Sequence, residues 1–257
     1  MKTSFAKPAT KPIQKPQPRR VEPVEEVVEE TSTELAVTET ASTSLTVRAS
    51  VDGQIQGEFS HRDLIIPRLN LVNKTGDLSN QFAPGSFVYN KEIVLGDGKK
   101  PTPITILRLV KFYIQDVPYG SGEMPKNFAS IRDVREAGGA LAGDADVEEG
   151  TDTYSEAMTC IVLVKSPAKE HPLFPYDFNG DYYARAQWLL TKSAYRATGR
   201  KIFTDSQGPL REGIDTAAYE LTSSLRTSSV ASWYVPTVKL ATKHTPEFVE
   251  FVRSLNS

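Results

Sequence analysis

Basic and aromatic side chains are concentrated between Tyr182 and Phe203, in the stretch YYARAQWLLTKSAYRATGRKIF. Lysine and arginine side chains can contact phosphate groups, and aromatic rings can stack on unpaired bases. The candidates for phosphate contacts are Lys192, Arg196, Arg200 and Lys201, with Arg185 just before them, and Tyr183 is a candidate for base stacking. The alternative interpretation is a core strand and an amphipathic helix whose arginines are only solvated.

Alternation of side chains predicts a strand over the first part of this stretch. Tyr182, Ala184, Ala186, Trp188 and Leu190 share one face and should pack inward, whereas Tyr183, Arg185 and Gln187 face solvent or a ligand. Ser193 occupies the position of a helix N-cap, and a short helix should follow it.

Two other strands carry a basic residue together with an aromatic one. The stretch from Pro103 to Val117 predicts a long central strand, with Ile104, Ile106, Val110, Phe112 and Ile114 on one face and Thr105, Leu107, Leu109, Lys111, Tyr113 and Gln115 on the other. Lys111 and Tyr113 are one pair. Trp233 and Lys239 lie in the other predicted strand, which Pro236 places at an edge or a bulge.

Motifs of catalysis and of cofactor binding are absent from the sequence. It contains no glycine-rich phosphate loop, no nucleophile elbow and no paired histidine and carboxylate. His61, His171 and His244 lack metal-ligand spacing, and the acidic run GDADVEEGTD fails the calcium-loop pattern. We therefore expect no catalytic residues, no cofactor and no metal. An enzyme whose residues converge from distant positions stays an open alternative.

Charge is distributed unevenly along the chain. The net charge is −2, so any nucleic-acid site must be a local patch. Residues 1–20 carry six basic and no acidic residues, and residues 21–40 carry seven acidic and no basic ones. Such a segment buries too little apolar surface to fold, which predicts a disordered tail over residues 1–43. The tail is either a solubilising leader or a segment that binds a nucleic acid or a protein partner.

The remainder predicts one β-rich domain over residues 44–257, with folded structure starting near Ser44. We expect about eight strands, an internal helix, a short helix around SIRDVREAGG and a C-terminal helix that begins at Thr245. Residues 138–156 should form a mobile acidic loop, with a strand from Met158 to Lys165 after it. The strands do not alternate with long helices, so the fold class is mainly β with few helices. An antiparallel barrel or sandwich fits, and the oligonucleotide-binding (OB-like) barrel is one member of that group.

The single cysteine, Cys160, lies in the apolar run MTCIVLV, which indicates a buried thiol and fits a reducing, intracellular setting. No apolar run approaches the ~20 residues that a membrane-spanning helix needs, so no membrane partner is expected. The N-terminus also lacks the apolar core of a signal peptide.

Three stretches resemble a poorly characterised group of bacteriophage and prophage proteins. They are DLIIPRLNLVNKTGDLSNQFAPGSFVYN, LLTKSAYRATGRKIFT and WYVPTVKLATKHTPEFVEF, and the matching motifs lie at Ile66–Leu71, Thr191–Lys201 and Tyr234–Pro236. That group resembles phage single-stranded DNA-binding proteins of replication and recombination. Many members carry a cysteine cluster before the Met158 strand, where this chain has the acidic loop, so the resemblance implies no structural zinc here.

The resemblance and the residues together predict a single-stranded DNA-binding protein in the cytoplasm of a bacterial host. Lys192, Arg196, Arg200, Lys201, Arg185, Lys111 and Lys239 would attract phosphates, and Tyr183, Tyr113 and Trp233 would offer stacking faces. The alternative is a phage structural or adaptor protein that binds protein partners. The oligomeric state is not predicted.

Overall fold

The computed structural model of the protein describes residues 66–118, 121–168 and 171–255. Its strands are β1 (Leu69–Leu71), β2 (Phe87–Tyr89), β3 (Ile93–Gly96), β4 (Thr102–Gln115), β5 (Asn127–Phe128), β6 (Ala140–Leu141), β7 (Thr153–Lys165), β8 (Tyr176–Phe178), β9 (Asp181–Thr191), β10 (Ala217–Thr227) and β11 (Ser232–Lys243). The helices are α1 (Ile131–Glu136), α2 (Lys192–Ala194), α3 (Arg200–Gln207) and α4 (Pro246–Ser254). The predicted tail and the predicted strand at Ser44 lie outside the described residues.

The larger sheet contains eight strands in the order β11-β10-β4-β7-β9-β8, with β5 paired to β4 and β6 paired to β7. All of these pairs are antiparallel except β6 with β7. The expected class, mainly β with few helices and a C-terminal helix, is confirmed, and the Pro103–Val117 stretch does form a long central strand. The sheet ends in two different edge strands, β11 and β8, so the expected closed barrel is wrong.

A second sheet has the order β1-β2-β3. Asn90 and Lys91 join β2 to β3 with positive φ angles of 51° and 60°, which tight hairpin turns require. The sheet meets the edge of β9, where the backbone N–H of Gln187 donates to Pro67 O over 2.8 Å. The two sheets thereby form a sandwich that is joined along one side.

The core lies between these two sheets. The larger sheet contributes alternate buried residues, which are Ile104, Ile106, Met158, Cys160, Val162, Val164, Ala184, Ala186, Trp188, Leu190, Ala217, Tyr219 and Leu221. Leu69, Phe87 and Tyr89 of the second sheet pack into the same cluster. The inward face that we predicted for β9 is therefore confirmed, because period-two alternation places every second side chain on the core side.

A β-bulge in β4 changes which side chains share a face. The pairing of β4 with β7 shifts by one residue between Ile106 and Arg108. Because of this extra residue, Leu109 packs against the core and Val110 is exposed, the reverse of the expected alternation. Lys111 now pairs with the core residue Met158 and lies on the same side of the sheet as Ile104 and Ile106.

Helix α4 covers part of the opposite face of the larger sheet. Thr245 caps it, as predicted, by accepting a hydrogen bond from Phe248 N over 3.4 Å. Phe248 and Val252 are buried with Leu107 and Leu163 beneath the helix. Arg253 Nε lies 2.8 Å from Asp215 Oδ2 and adds an ion pair at the end of the helix.

The acidic stretch is shorter than expected. Ala140 and Leu141 form β6, and β7 starts already at Thr153 instead of Met158. The last residues of the predicted loop therefore belong to the central sheet, and Glu156 is one of them.

Candidate nucleic-acid interface

The helical segment after β9 positions most of the predicted cations. Thr191, and not Ser193, is its N-cap residue, and Lys192 follows with a φ of 49°, which is uncommon for a residue other than glycine. A π-helical turn, Tyr195–Gly199, joins α2 to α3. The turn presents Tyr195, which is buried, to the core and leaves Arg196 and Arg200 exposed.

Five of the predicted phosphate contacts form ion pairs within the protein. The nitrogen–oxygen distances are 2.7 Å for Lys111 with Glu156, 3.0 Å for Lys192 with Asp116, 2.8 Å for Arg200 with Glu156, 2.8 Å for Lys201 with Asp205 and 4.0 Å for Lys239 with Glu220. These cations are partly exposed, and exposed pairs contribute about 0–1 kcal/mol each. The pairs therefore reduce the local positive charge without sealing the cations from solvent.

Three other predicted contacts are covered by the fold. Tyr113 is 8% exposed and packs with Val134 and Tyr154, so its ring offers no face to a base. The ring of Tyr183 lies 5.5 Å from that of Phe248 in α4. Arg185 Nη1 donates to Leu255 O over 3.0 Å. The open face that we predicted for Tyr183 and Arg185 is occupied by α4, which sequence alternation alone does not reveal.

Arg196 and Trp233 are the predicted contacts that keep accessible groups. Arg196 is exposed and makes no ion pair with any described residue. Trp233 is half-buried, and its Nε1 donates to Ser193 Oγ over 3.2 Å. This hydrogen bond fixes the indole against the first turn of the helix, one turn before Arg196.

The structure adds two basic residues that sequence reasoning missed. Arg226 is exposed and lies directly opposite Trp233 in the β10–β11 hairpin, so the two side chains share a face. Lys74 Nζ donates to Ser232 Oγ over 2.8 Å at the same end of the hairpin. Residues 222–238 contain Arg226 and no acidic residue, and that local excess of positive charge was the available signal.

These contacts define a continuous surface, which we name the basic strip and which consists of Arg226, Trp233, Arg196, Arg200 and Lys111. Trp233 reaches the helix through Ser193, Arg196 and Arg200 follow along the helix, and Arg200 meets Lys111 at Glu156. The helical part from Ser193 to Arg200 spans about 10 Å at 1.5 Å per residue. The strip therefore combines four cations and one partly exposed ring over a length that suits an extended chain.

Glu156 is the carboxylate of the strip. Burial raises its pKa, but hydrogen bonds from Lys111 and Arg200 outweigh this effect and hold the pKa below its ordinary value. Burial also lowers the pKa of Lys111, and the hydrogen bond and charge of Glu156 reverse that effect, so the net pKa is raised. Lys111 and Arg200 also lie over the Tyr195 ring, at 5.9 and 5.8 Å from its centroid. All of these groups stay charged near neutral pH.

No cluster of three or more histidine, cysteine or carboxylate side chains suited to a metal occurs within residues 66–118, 121–168 and 171–255. A pocket of about 330 Å³ lies beside the strip and is lined by Asp116, Lys192 and Thr191 among others. Its charged groups are engaged, because Asp116 also accepts a hydrogen bond from Ser155 Oγ over 2.6 Å. Among the described helices, none has the length and apolar character to cross a membrane.

Comparison with family models, with curated proteins and with solved structures finds no match to this chain.

Proposed function

We propose that the protein binds single-stranded nucleic acid, specifically single-stranded DNA, along the basic strip. The observation that carries the proposal is the position of Trp233, whose partly exposed indole lies between the unpaired cations Arg226 and Arg196. Base–aromatic stacking contributes about 1–3 kcal/mol per base and tolerates any sequence. The arginines would contact the flanking phosphates.

The charge balance of the chain is compatible with a local site of this kind. The net charge of −2 gives no general attraction to polyanions, so binding depends on the strip itself. A role in phage replication or recombination in the bacterial cytoplasm belongs to the same proposal and rests on the sequence resemblance. The chemistry of the strip supports binding and supplies no group for catalysis.

Intrinsic fluorescence gives a direct test. The chain contains two tryptophans, and Trp188 is only 2% exposed, so a DNA-dependent change in emission reports mainly on Trp233. Oligo-dT should quench the emission saturably. Each phosphate contact on a single strand adds about −0.7 to the slope of log K against log salt, so four contacts lower the affinity roughly 50-fold between 50 and 200 mM salt. Absence of binding at low salt would contradict the proposal.

A structural or adaptor role is the second candidate. Val110 and Leu189 are exposed on the uncovered face of the larger sheet and flank Thr159 in the strand register. Such an apolar row favours contact with another protein, and a second copy of this chain is the partner that light scattering detects most simply. Defined large oligomers without DNA, together with no binding to oligo-dT, would favour this candidate.

A further inference from the structure

Two cations of the basic strip converge on one carboxylate. Lys111 Nζ contacts Glu156 Oε1 at 2.7 Å, and Arg200 Nη2 contacts Glu156 Oε2 at 2.8 Å. The Tyr195 hydroxyl also donates to Oε1 over 3.4 Å. Each carboxylate oxygen therefore has its own cation, and the two cationic groups are spaced to bind an anion with two terminal oxygens.

A backbone phosphodiester has the same chemistry as this carboxylate. It presents two charged oxygens, and arginine and lysine are the side chains that commonly bind them. The side chains of Lys111 and Arg200 are 44% and 59% exposed, so an external anion can reach both. The side chain of Glu156 is 29% exposed and belongs to β7, a strand whose backbone is fixed on both sides. Only the carboxylate side chain needs to turn away for the site to open.

We propose that Glu156 occupies the position of a nucleic-acid phosphate and that a bound strand displaces it from Lys111 and Arg200. This inference rests on the proposed function, because the displacing anion is the backbone of the strand that Trp233 stacks on. Glu156 thus acts as an internal competitor. It keeps the two cations paired when no strand is bound and lowers the affinity of the strip for DNA.

Exchange of one anion for another needs little rearrangement of the cations. Partly solvated ion pairs are weak, so the replacement of the carboxylate by a phosphate is close to balanced. The cost that remains is the free carboxylate, which lies near the negative backbone of the bound strand. Removal of that charge should therefore strengthen binding, whereas removal of an unrelated carboxylate should not.

The variant Glu156→Gln removes the charge and keeps the shape of the side chain. Glu220→Gln is the matched control, since Glu220 also faces a lysine, Lys239 at 4.0 Å, but lies outside the strip. We expect Glu156→Gln to bind oligo-dT about tenfold more tightly than the wild type at equal salt, and Glu220→Gln to change the affinity less than twofold. Addition of Arg200→Gln to Glu156→Gln should abolish the gain. Equal affinities of the two single variants would overturn the inference.

Pyrophosphate provides a second probe that does not depend on DNA binding. At millimolar concentration it should raise the thermal midpoint of Glu156→Gln more than that of the wild type or of Glu220→Gln. If no protein binds oligo-dT but this difference is present, the proposed function fails and the anion site stands. If oligo-dT binds the wild type and neither probe distinguishes Glu156→Gln, the inference fails alone.

Loss of folding in Glu156→Gln would move the test to Arg200→Gln, whose side chain is exposed. That single variant should bind oligo-dT at least threefold more weakly than the wild type, and an unchanged affinity would overturn the inference.

Discussion

The indole Nε1 of Trp233 donates a hydrogen bond to Ser193 Oγ over 3.2 Å. This contact joins the end of the β10–β11 hairpin to the first turn of the helix that carries Arg196 and Arg200. It orients an aromatic ring that strand pairing alone would leave free to rotate. Orientation of the ring is therefore coupled to the position of the helical cations.

Replacement of Ser193 by alanine should release the indole while the helix stays intact. Loss of one partly exposed hydrogen bond costs about 0.5–1.5 kcal/mol of stability. We expect quenching of Trp233 by iodide to increase and the affinity for oligo-dT to fall about three- to tenfold. Ser206→Ala is the control, because the Ser206 hydroxyl donates only to Phe203 O within α3. Identical quenching in the wild type and Ser193→Ala would show that the bond does not hold the ring.

Neutralisation of Arg226 should weaken binding and reduce its dependence on salt. Arg226→Gln removes one phosphate contact, so the slope of log K against log salt should decrease in magnitude by about 0.7. The measurement is a fluorescence titration at four salt concentrations. Lys243→Gln serves as the control, since Lys243 is exposed at the other end of β11, about 35 Å away along an extended strand. Equal slopes for both variants would exclude a contact at Arg226.

The π-helical turn depends on a glycine. A Cβ at Gly199 would lie 2.7 Å from Tyr195 Cδ2, and Tyr195 is buried. Gly199→Ala should therefore lower the free energy of unfolding by about 1–3 kcal/mol, despite the higher helix propensity of alanine. Urea unfolding measures this change. In a Tyr195→Ala background the same substitution should cost much less, because the clashing ring is gone.

Docking of α4 depends on Phe248. This side chain is buried against Leu107 and Leu163, and Phe→Ala substitutions in cores cost about 3–5 kcal/mol. Phe248→Ala should fall in this range, whereas Phe203→Ala should change the stability by less than about 0.5 kcal/mol because Phe203 is 54% exposed. Urea unfolding compares the two variants. A small effect of Phe248→Ala would mean that α4 contributes little to the stability of the domain.

His244 should make the stability depend on pH. Burial lowers its pKa, and a backbone hydrogen bond at Ala217 and the charge of Asp215 oppose this only in part. The unfolded chain then binds a proton at a higher pH than the folded chain, so stability falls as the pH drops from about 6.5 towards the lower folded pKa. The His244 ring packs 4.4 Å from that of Phe248 and lies 2.8 Å from Thr105 Oγ1, which accounts for the burial.

Unfolding by urea at several pH values between 5 and 7.5 measures this dependence. The slope should be smaller in His244→Gln than in the wild type. A wild-type protein that becomes more stable on acidification over this range would contradict the assignment.

Local patterns in the sequence predict much of the fold. The alternation in β9, the long apolar β4, the Thr245 cap and Pro236 in an edge strand each follow from short-range physical rules, and all of them hold in the structure. The bulge in β4 does not follow from any pattern, because one extra residue leaves composition and hydrophobicity unchanged. Short strands such as β8 are also hidden, since a proline-rich connection surrounds them.

The candidate site was harder to predict for a different reason. Sequence identifies cations but not their partners, and Glu156 is distant in sequence from both Lys111 and Arg200. Likewise, alternation predicts that Tyr183 leaves the core side of β9 but not that α4 covers it. Arg196 and Trp233 were identified in advance. The link between them through Ser193 is tertiary and became visible only in the structure.

The extra residue at position 107 decides the sidedness of everything after it in β4. Without it, Lys111 would project from the opposite surface of the molecule, among the side chains under and beside α4, and Arg200 would have Glu156 to itself. Loss of one codon would thus relocate a positive charge across the full thickness of the sheet while every other strand kept its position.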